Sequence, residues 1–172
     1  MKSRALLRRF RGVKDSKQLS EKQREEWFSV IRAASKNGEV AYAVAFARSE
    51  TIDERGLTHA IYSALNRTLS RLEKKGAASP AAKILLDGSL YASTRYPDQL
   101  TIIDGDAKEP IIALASICAK VLRDRRMKKL AREFPQYGFE IHKGYGTKAH
   151  YAAIKKYGLC ADHRRSFLKG IA

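Results

Sequence analysis

Apolar and polar positions along the chain alternate between two periods. Ser20 with Gln23 three residues later is a capping-box signature, and Trp27, Phe28, Val30, Ile31 and Ala34 follow at helical spacing. Asn37-Gly38 closes that helix. From Glu39 to Arg48 the period becomes two, with Val40, Tyr42, Val44 and Phe46 on one face and Ala41, Ala43 and Ala45 on the other. That pattern predicts a strand covered on both faces. Leu57, Ile61, Leu65, Leu69 and Leu72 then return at intervals of three or four, predicting a helix that starts after a break at Gly56 and ends before Gly76.

Lys83 to Leu86 and Leu100 to Ile103 are short apolar runs ending in Asp87-Gly88 and Asp104-Gly105, and both read as buried strands that finish in turns. Pro110 opens a long helix through Leu130, with Ile111, Leu114, Ala115, Cys118, Val121 and Leu122 as its inner stripe. A loop rich in Tyr, Gly, His and Lys runs from Phe134 to Thr147, and Thr147 caps a last helix that stops at Gly158. Strands alternating with helices predict α/β architecture, with helices covering a sheet.

Composition sets the size of the problem. At 172 residues, 44% hydrophobic and 30% charged, the chain reads as one globular domain able to bury roughly 70% of its unfolded surface. Cys118 and Cys160 form no CxxC pair, which argues against a disulfide scaffold or a zinc finger and suits a reducing compartment. The most apolar run, Ile111 to Ala119, is too short to span a bilayer. No membrane partner is expected, and with arginines interrupting any signal-peptide core the expected location is cytoplasmic.

The net charge of +16 is unevenly placed. Residues 1–17 hold seven basic side chains against one acidic, residues 18–119 balance at thirteen of each, and residues 120–172 hold fourteen against four. A neutral body between two basic ends is a footprint for a polyanion, and nucleic acid is the expected partner. Arg123, Arg125, Arg126, Lys128, Lys129 and Arg132 read equally well as the wet face of a helix.

Two carboxylates carry the candidate chemistry. Asp87 and Asp106 fall at the carboxyl ends of the predicted strands, where ligands sit in open α/β sheets. Carboxylates brought together repel unless a cation neutralises them, and Mg²⁺ or Mn²⁺ bridges carboxylate to phosphate. Acids beside basic arms thus point to metal-assisted phosphodiester cleavage. The plainer alternatives stay open: Asp87-Gly88 is a common turn dipeptide, and Asp106 is placed to cap the helix that Pro110 begins.

Several short motifs resemble ribonuclease HII in that family's order: Asp15-Ser16-Lys17-Gln18-Leu19-Ser20, Thr51-Ile52-Asp53, Leu86-Asp87-Gly88, Gly105-Asp106-Ala107-Lys108, Ala115 to Val121, Arg123-Asp124, Tyr137-Gly138-Phe139, His142 to Thr147 and His163 to Phe167. The resemblance implies a ribonuclease H-like mixed sheet flanked by helices, as a single domain over 1–172. It implies an endonuclease that hydrolyses the RNA strand of RNA/DNA hybrids, including single ribonucleotides embedded in duplex DNA, by a two-metal mechanism. Asp87 and Asp106 then match two of the family's four metal-binding acids. Tyr145 matches the tyrosine that packs on the sugar at the RNA-to-DNA junction, Lys17 matches a lysine near the bound backbone, and Lys143 belongs to the Tyr145 motif. His142 and His163 fall in matching motifs in which structural roles are expected.

One departure stands out. The family's Asp-Glu-Ala-Gly-Arg-Gly type motif does not occur in these 172 residues, and residues 1–14 contain no acid. The expectation is an N-terminally truncated fold, with 1–14 a basic arm in place of the family's first strands, and slow cleavage with only two matched acids. The competing reading is a non-catalytic basic nucleic-acid-binding protein. Beside these, a structural protein of a ribonucleoprotein particle explains the charge but not the acidic strand ends.

Overall fold

Ser20 begins the first helix by the two reciprocal bonds that its sequence predicts. Its Oγ accepts the Gln23 N–H at 3.2 Å, and the Gln23 Oε1 accepts the Ser20 N–H at 2.8 Å. Two otherwise orphaned donors are satisfied, a contribution of about 1 kcal/mol. Helix α1 runs Glu21–Lys36, capped at Asn37, and buries Phe28, Ile31 and Ala34. These features are drawn from a computed structural model, which describes residues 10–13 and 15–170. The expected basic arm falls largely on residues 1–9 and 14, outside the described residues.

The elements that follow are α2 (Ser49–Lys74), β1 (Ile84–Asp87), β2 (Gln99–Ile102), α3 (Gly105–Lys108), α4 (Pro110–Glu133), a 3-10 turn (Pro135–Tyr137), α5 (Phe139–His142), α6 (Lys148–Tyr157) and a second 3-10 turn (Arg165–Phe167). The chain divides into two compact units. One draws on residues up to 45 together with 65–121, and the other on 46–64 together with residues from 122 on. The expected break at Gly56 lies inside α2, where φ is 80° and ψ 164°, a backbone state that glycine reaches without a Cβ penalty. Thr147 caps α6 as expected, its hydroxyl accepting the His150 N–H, and Gly158 ends that helix.

In the first unit β1 and β2 are parallel, with Ile84 paired to Gln99 and Asp87 to Ile102. The two-stranded parallel sheet among helices bears out the α/β expectation. Parallel strands need a crossover. Here residues 88–98 supply it without a helix, and the Gln99 side chain bonds Ala92 and Tyr96 of that crossover. Leu69, Ile84, Leu86, Ala92 and Tyr96 form the core beside the sheet. In the second unit the core is Leu130, Tyr137, Phe139, Ile154 and Leu168.

Four expectations change. The stretch 39–48 is not a strand, because no neighbouring strand offers it a ladder among the described residues. Side chains take its carbonyls instead, Arg71 bonding the Val44 oxygen and Lys75 the Tyr42 oxygen, while Tyr42 lies edge-on to Phe28 at 5.6 Å. Strand β2 is not buried: Leu100 is 48% exposed, and Ile103 just past its end 73%, and no position of β2 is buried, whereas β1 buries Ile84 and Leu86. The inner stripe of α4 is rotated by about one position, burying Ile112, Ala113 and Ile117 with Leu114, Cys118 and Val121, and leaving Ile111 and Ala115 exposed. The segment 134–147 also holds two short helical turns, so it is less of a loop than its composition implies.

Candidate active site

Asp87 is the last residue of β1, as expected. Asp106 lies further along than expected: β2 ends at Ile102, and Asp106 sits buried in the first turn of α3. The backbone reaches it through Asp104, which holds a left-handed φ of 55°, a conformation that aspartate tolerates better than most residues. Gly105 comes next, and its N–H donates to Oδ1 of Asp87 at 2.8 Å. The end of β1 is thereby tied to the residue before Asp106. Gly105 also leaves room for its neighbours, since a Cβ there would lie 2.7 Å from Cδ1 of Ile112 and 3.2 Å from Oδ1 of Asp87.

Lys17 completes this group. The Asp15 carboxylate accepts the Lys17 N–H at 2.8 Å, the Ser16 hydroxyl bonds Ser116 of α4 at 2.8 Å, and Arg24 of α1 donates to the Ser16 and Leu19 carbonyls. Held by that turn, the Lys17 ammonium lies 3.1 Å from Oδ2 of Asp106, although the lysine side chain is 77% exposed and the aspartate 6%. The hydrogen bond and charge of Asp106, with smaller help from Asp15 and Asp87, push the Lys17 pKa above its ordinary value. An ammonium thus supplies the countercharge for a buried carboxylate. Asp87 also lines an apolar hollow of about 540 Å³ with Leu65, Leu90, Ile111 and Ala115. Among the described residues no group of three or more His, Cys, Asp or Glu is arranged to hold a metal ion.

Lys143 and Tyr145 lie together in the second unit. Lys143 caps α5 in a left-handed conformation, with its ammonium donating to the Glu140 carbonyl at 2.6 Å. Tyr145 is 57% exposed, and the Arg123 guanidinium lies over its ring, 4.8 Å from the centroid. Arg123 also donates to the Tyr145 hydroxyl at 3.3 Å and to the Lys143 carbonyl at 3.0 Å. A basic hollow of about 360 Å³ in this unit is lined by Arg123, Arg126, Lys143, Arg164, Phe46 and Phe167. Arg126 lies over Phe46, and Arg164 over Phe167. Cation–π stacks of this kind hold guanidinium planes against aromatic faces.

The sequence leaves Arg123 open between a polyanion footprint and a wet helix face, and gives no sign of its contact with Tyr145. It left Asp53 without a role. Asp53 accepts the Arg165 and Ser166 N–H groups at 2.9 Å and the Ser166 hydroxyl at 2.6 Å, and so anchors the second 3-10 turn. Burial works to raise its pKa, but the bonds from Ser166 and Arg165 outweigh it and hold the carboxyl below its ordinary value. His150 was not singled out at all, yet it joins His142 and His163 in one buried cluster.

Residues 2–169 match the family model described as Ribonuclease HII. Similar proteins include the Ribonuclease HII of Clostridioides difficile (strain 630), 42% identical over 160 residues that cover 93% of this chain and 59% of that protein. The Ribonuclease HII of Endomicrobium trichonymphae is 42% identical over 155 residues, covering 90% of this chain and 70% of its own length. That of Coxiella burnetii (strain Dugway 5J108-111) is 43% identical over 156 residues, covering 91% and 72%. The chain spans about three-fifths to seven-tenths of the length of these relatives. With its motifs in order and its whole middle matched, the chain belongs to the ribonuclease HII family.

Proposed function

We propose that the chain is an endonuclease that hydrolyses the RNA strand of RNA/DNA hybrids, including single ribonucleotides embedded in duplex DNA. The observation that carries this reading is the tie between Asp87 and Gly105, which places the two matched aspartates on adjoining backbone, with the Lys17 ammonium at Asp106. Ribonucleases HII depend on divalent metal. Asp87 and Asp106 offer the hard oxygen donors that Mg²⁺ or Mn²⁺ takes, and the ammonium already beside Asp106 marks that carboxylate as a seat for positive charge. When bound, such ions lower the pKa of a water and neutralise charge on the scissile phosphate, and a pair of them acts in the two-metal form of the reaction.

The chain's own residues have separable tasks in this reading. Asp87, whose Oδ1 accepts the Gly105 N–H, and Asp106, whose Oδ2 accepts the Lys17 ammonium, would hold such an ion. Lys17, exposed beside Asp106, supplies positive charge for a backbone phosphate. The exposed Tyr145 face packs on the sugar at the RNA-to-DNA junction, steadied by Arg123, and Lys143 contributes charge beside it. The two free cysteines fit a reducing, cytoplasmic setting, and burial pushes the Cys118 thiol up to about 12. No helix among the described residues is long and apolar enough to cross a membrane.

A non-catalytic, basic nucleic-acid-binding protein is the second reading, favoured by the absence of a three-ligand metal cluster among the described residues. Incubation of the chain with a duplex carrying one ribonucleotide, with and without Mg²⁺ or Mn²⁺, separates the two. Metal-dependent incision supports the enzyme, and retention of intact duplex supports the binder.

A further inference from the structure

Tyr145 is held by its own carbonyl. That oxygen accepts the Thr147 N–H at 2.9 Å and lies 2.9 Å from Nδ1 of His150. A carbonyl only accepts, so His150 must carry its proton on Nδ1. Its other nitrogen, Nε2, is then an acceptor, and it lies 3.1 Å from Nε2 of His163. His163 must therefore donate through Nε2. Its Nδ1 is consequently an acceptor, and there it meets the Cys160 N–H at 2.9 Å and the Cys160 Sγ at 3.1 Å. The backbone groups at the two ends, a donor at Cys160 and an acceptor at Tyr145, fix every proton between them. The relay closes in one direction only, with both rings neutral and in opposite tautomers.

His142 is fixed by the same reasoning. Its Nδ1 accepts the Gly144 N–H at 3.2 Å, and its Nε2 donates to the Tyr137 carbonyl at 2.7 Å. It stacks on His150 with ring centroids 4.2 Å apart. Gly144 and Tyr145, adjacent within the segment 143–147, are thus each bonded to an imidazole. The titratable groups facing His150 and His163 are His142 from α5, Tyr137 from the preceding turn, Tyr151 from α6, and Cys160 with Asp162, which is itself paired to Arg126 of α4. Burial is the main cause that keeps both imidazoles below their ordinary pKa, with the neighbouring histidines adding to it.

We propose that His150 and His163 are positioning residues for Tyr145, forming a neutral imidazole relay that anchors its backbone and so sets where its ring meets the nucleic acid. Charging either ring puts N–H against N–H somewhere along the relay, at His150–His163 or at His163–Cys160. The Nδ1 donor to the Tyr145 carbonyl then loses the links behind it that hold the His150 ring in place. This inference rests on the reading of Tyr145 given above, and its tests keep the two apart.

Nitrogen-15 NMR of the imidazoles in the full chain at pH 7 reads the tautomers directly. The expected result is Nδ1–H for His150 and Nε2–H for His142 and His163, and any other assignment for His150 or His163 overturns the proposal. Amide exchange over 143–147 reads the anchoring. His150→Ala should speed it by about five- to tenfold, the worth of one net hydrogen bond, whereas His150→Asn, whose amide N–H replaces the Nδ1 donor, should restore most of the protection. Equal exchange in the wild type and both variants overturns the proposal. Where the chain cuts, His150→Ala should raise KM for a junction-containing duplex more than it lowers kcat. A chain that does not cut refutes the enzyme reading and leaves the tautomer and exchange results standing on their own.

Discussion

The Lys17 ammonium lies 3.1 Å from Oδ2 of Asp106, across a sequence separation of 89 residues. An exposed cation is thereby set against a buried anion, at the place where a divalent ion would compete for the same oxygen. Lys17→Met should therefore tighten Mg²⁺ or Mn²⁺ binding, because a repelling charge is gone, and weaken binding of an RNA/DNA hybrid, because a phosphate partner is gone. Isothermal titration of metal and fluorescence anisotropy with hybrid measure the two effects. Metal affinity that falls with the lysine would mean that Lys17 orders the carboxylate and does not compete for it.

Gly105 tests the geometry behind the pair. In Gly105→Ala the new Cβ would press on Cδ1 of Ile112 and Oδ1 of Asp87, so these side chains must turn away or their elements must shift. We expect a loss of about 1 to 3 kcal/mol in unfolding free energy, the usual range for overpacking. Metal binding should fall with it. Denaturant unfolding and metal titration that both match the wild type would show that the tie between Asp87 and Gly105 is dispensable.

The histidine cluster gives a pH dependence with a definite sign. His150 and His163 have folded-state pKa values below the unfolded one, so the unfolded chain takes up protons first as pH falls. Their contribution to stability is full above about pH 6.5 and is lost as pH drops from there toward their folded values. The thermal midpoint should be level between about pH 7 and 8 and decline below about 6.5, with a shallower decline in His150→Asn. A midpoint that rises between pH 7 and pH 5 contradicts this assignment.

Charge predicts the behaviour of the complex. With fourteen basic side chains against four acidic in residues 120–172, attraction to a duplex rests on phosphate neutralisation. If about four phosphates are neutralised, affinity should fall roughly 10²-fold between about 50 and 200 mM salt. Affinity that holds steady over that range would place the binding energy elsewhere.

Local signals were the legible ones. The Ser20–Gln23 box, the break at Gly56 and the cap at Thr147 each depend on residues within one helical turn, and each is found where the sequence puts it. The 39–48 strand was misread because alternation describes faces and says nothing of whether a neighbouring strand exists to pair with. The α4 stripe lies one position from the expected one because Ile111 and Ile112 are both apolar, and the fold buries Ile112, whose Cδ1 lies close to Gly105. Asp87 and Asp106 are legible in the sequence as candidates, but Gly105, whose N–H ties the end of β1 to the backbone beside Asp106, shows its role only in the fold. His150 was invisible for a stronger reason: its partners are a carbonyl five residues away and a ring thirteen residues away, and no spacing rule links them.

The central claim is that Asp87 and Asp106 together serve a metal-dependent endonuclease. The most direct test is incision of a DNA duplex carrying one embedded ribonucleotide by the 172-residue chain, measured in Mg²⁺ and in Mn²⁺ beside Asp87→Asn and Asp106→Asn. The prediction is slow, metal-dependent cleavage on the 5′ side of the ribonucleotide, lost in both variants while duplex binding and folding persist. Cleavage that survives both substitutions, or a wild-type chain that binds the duplex and leaves it intact in either metal, would contradict it.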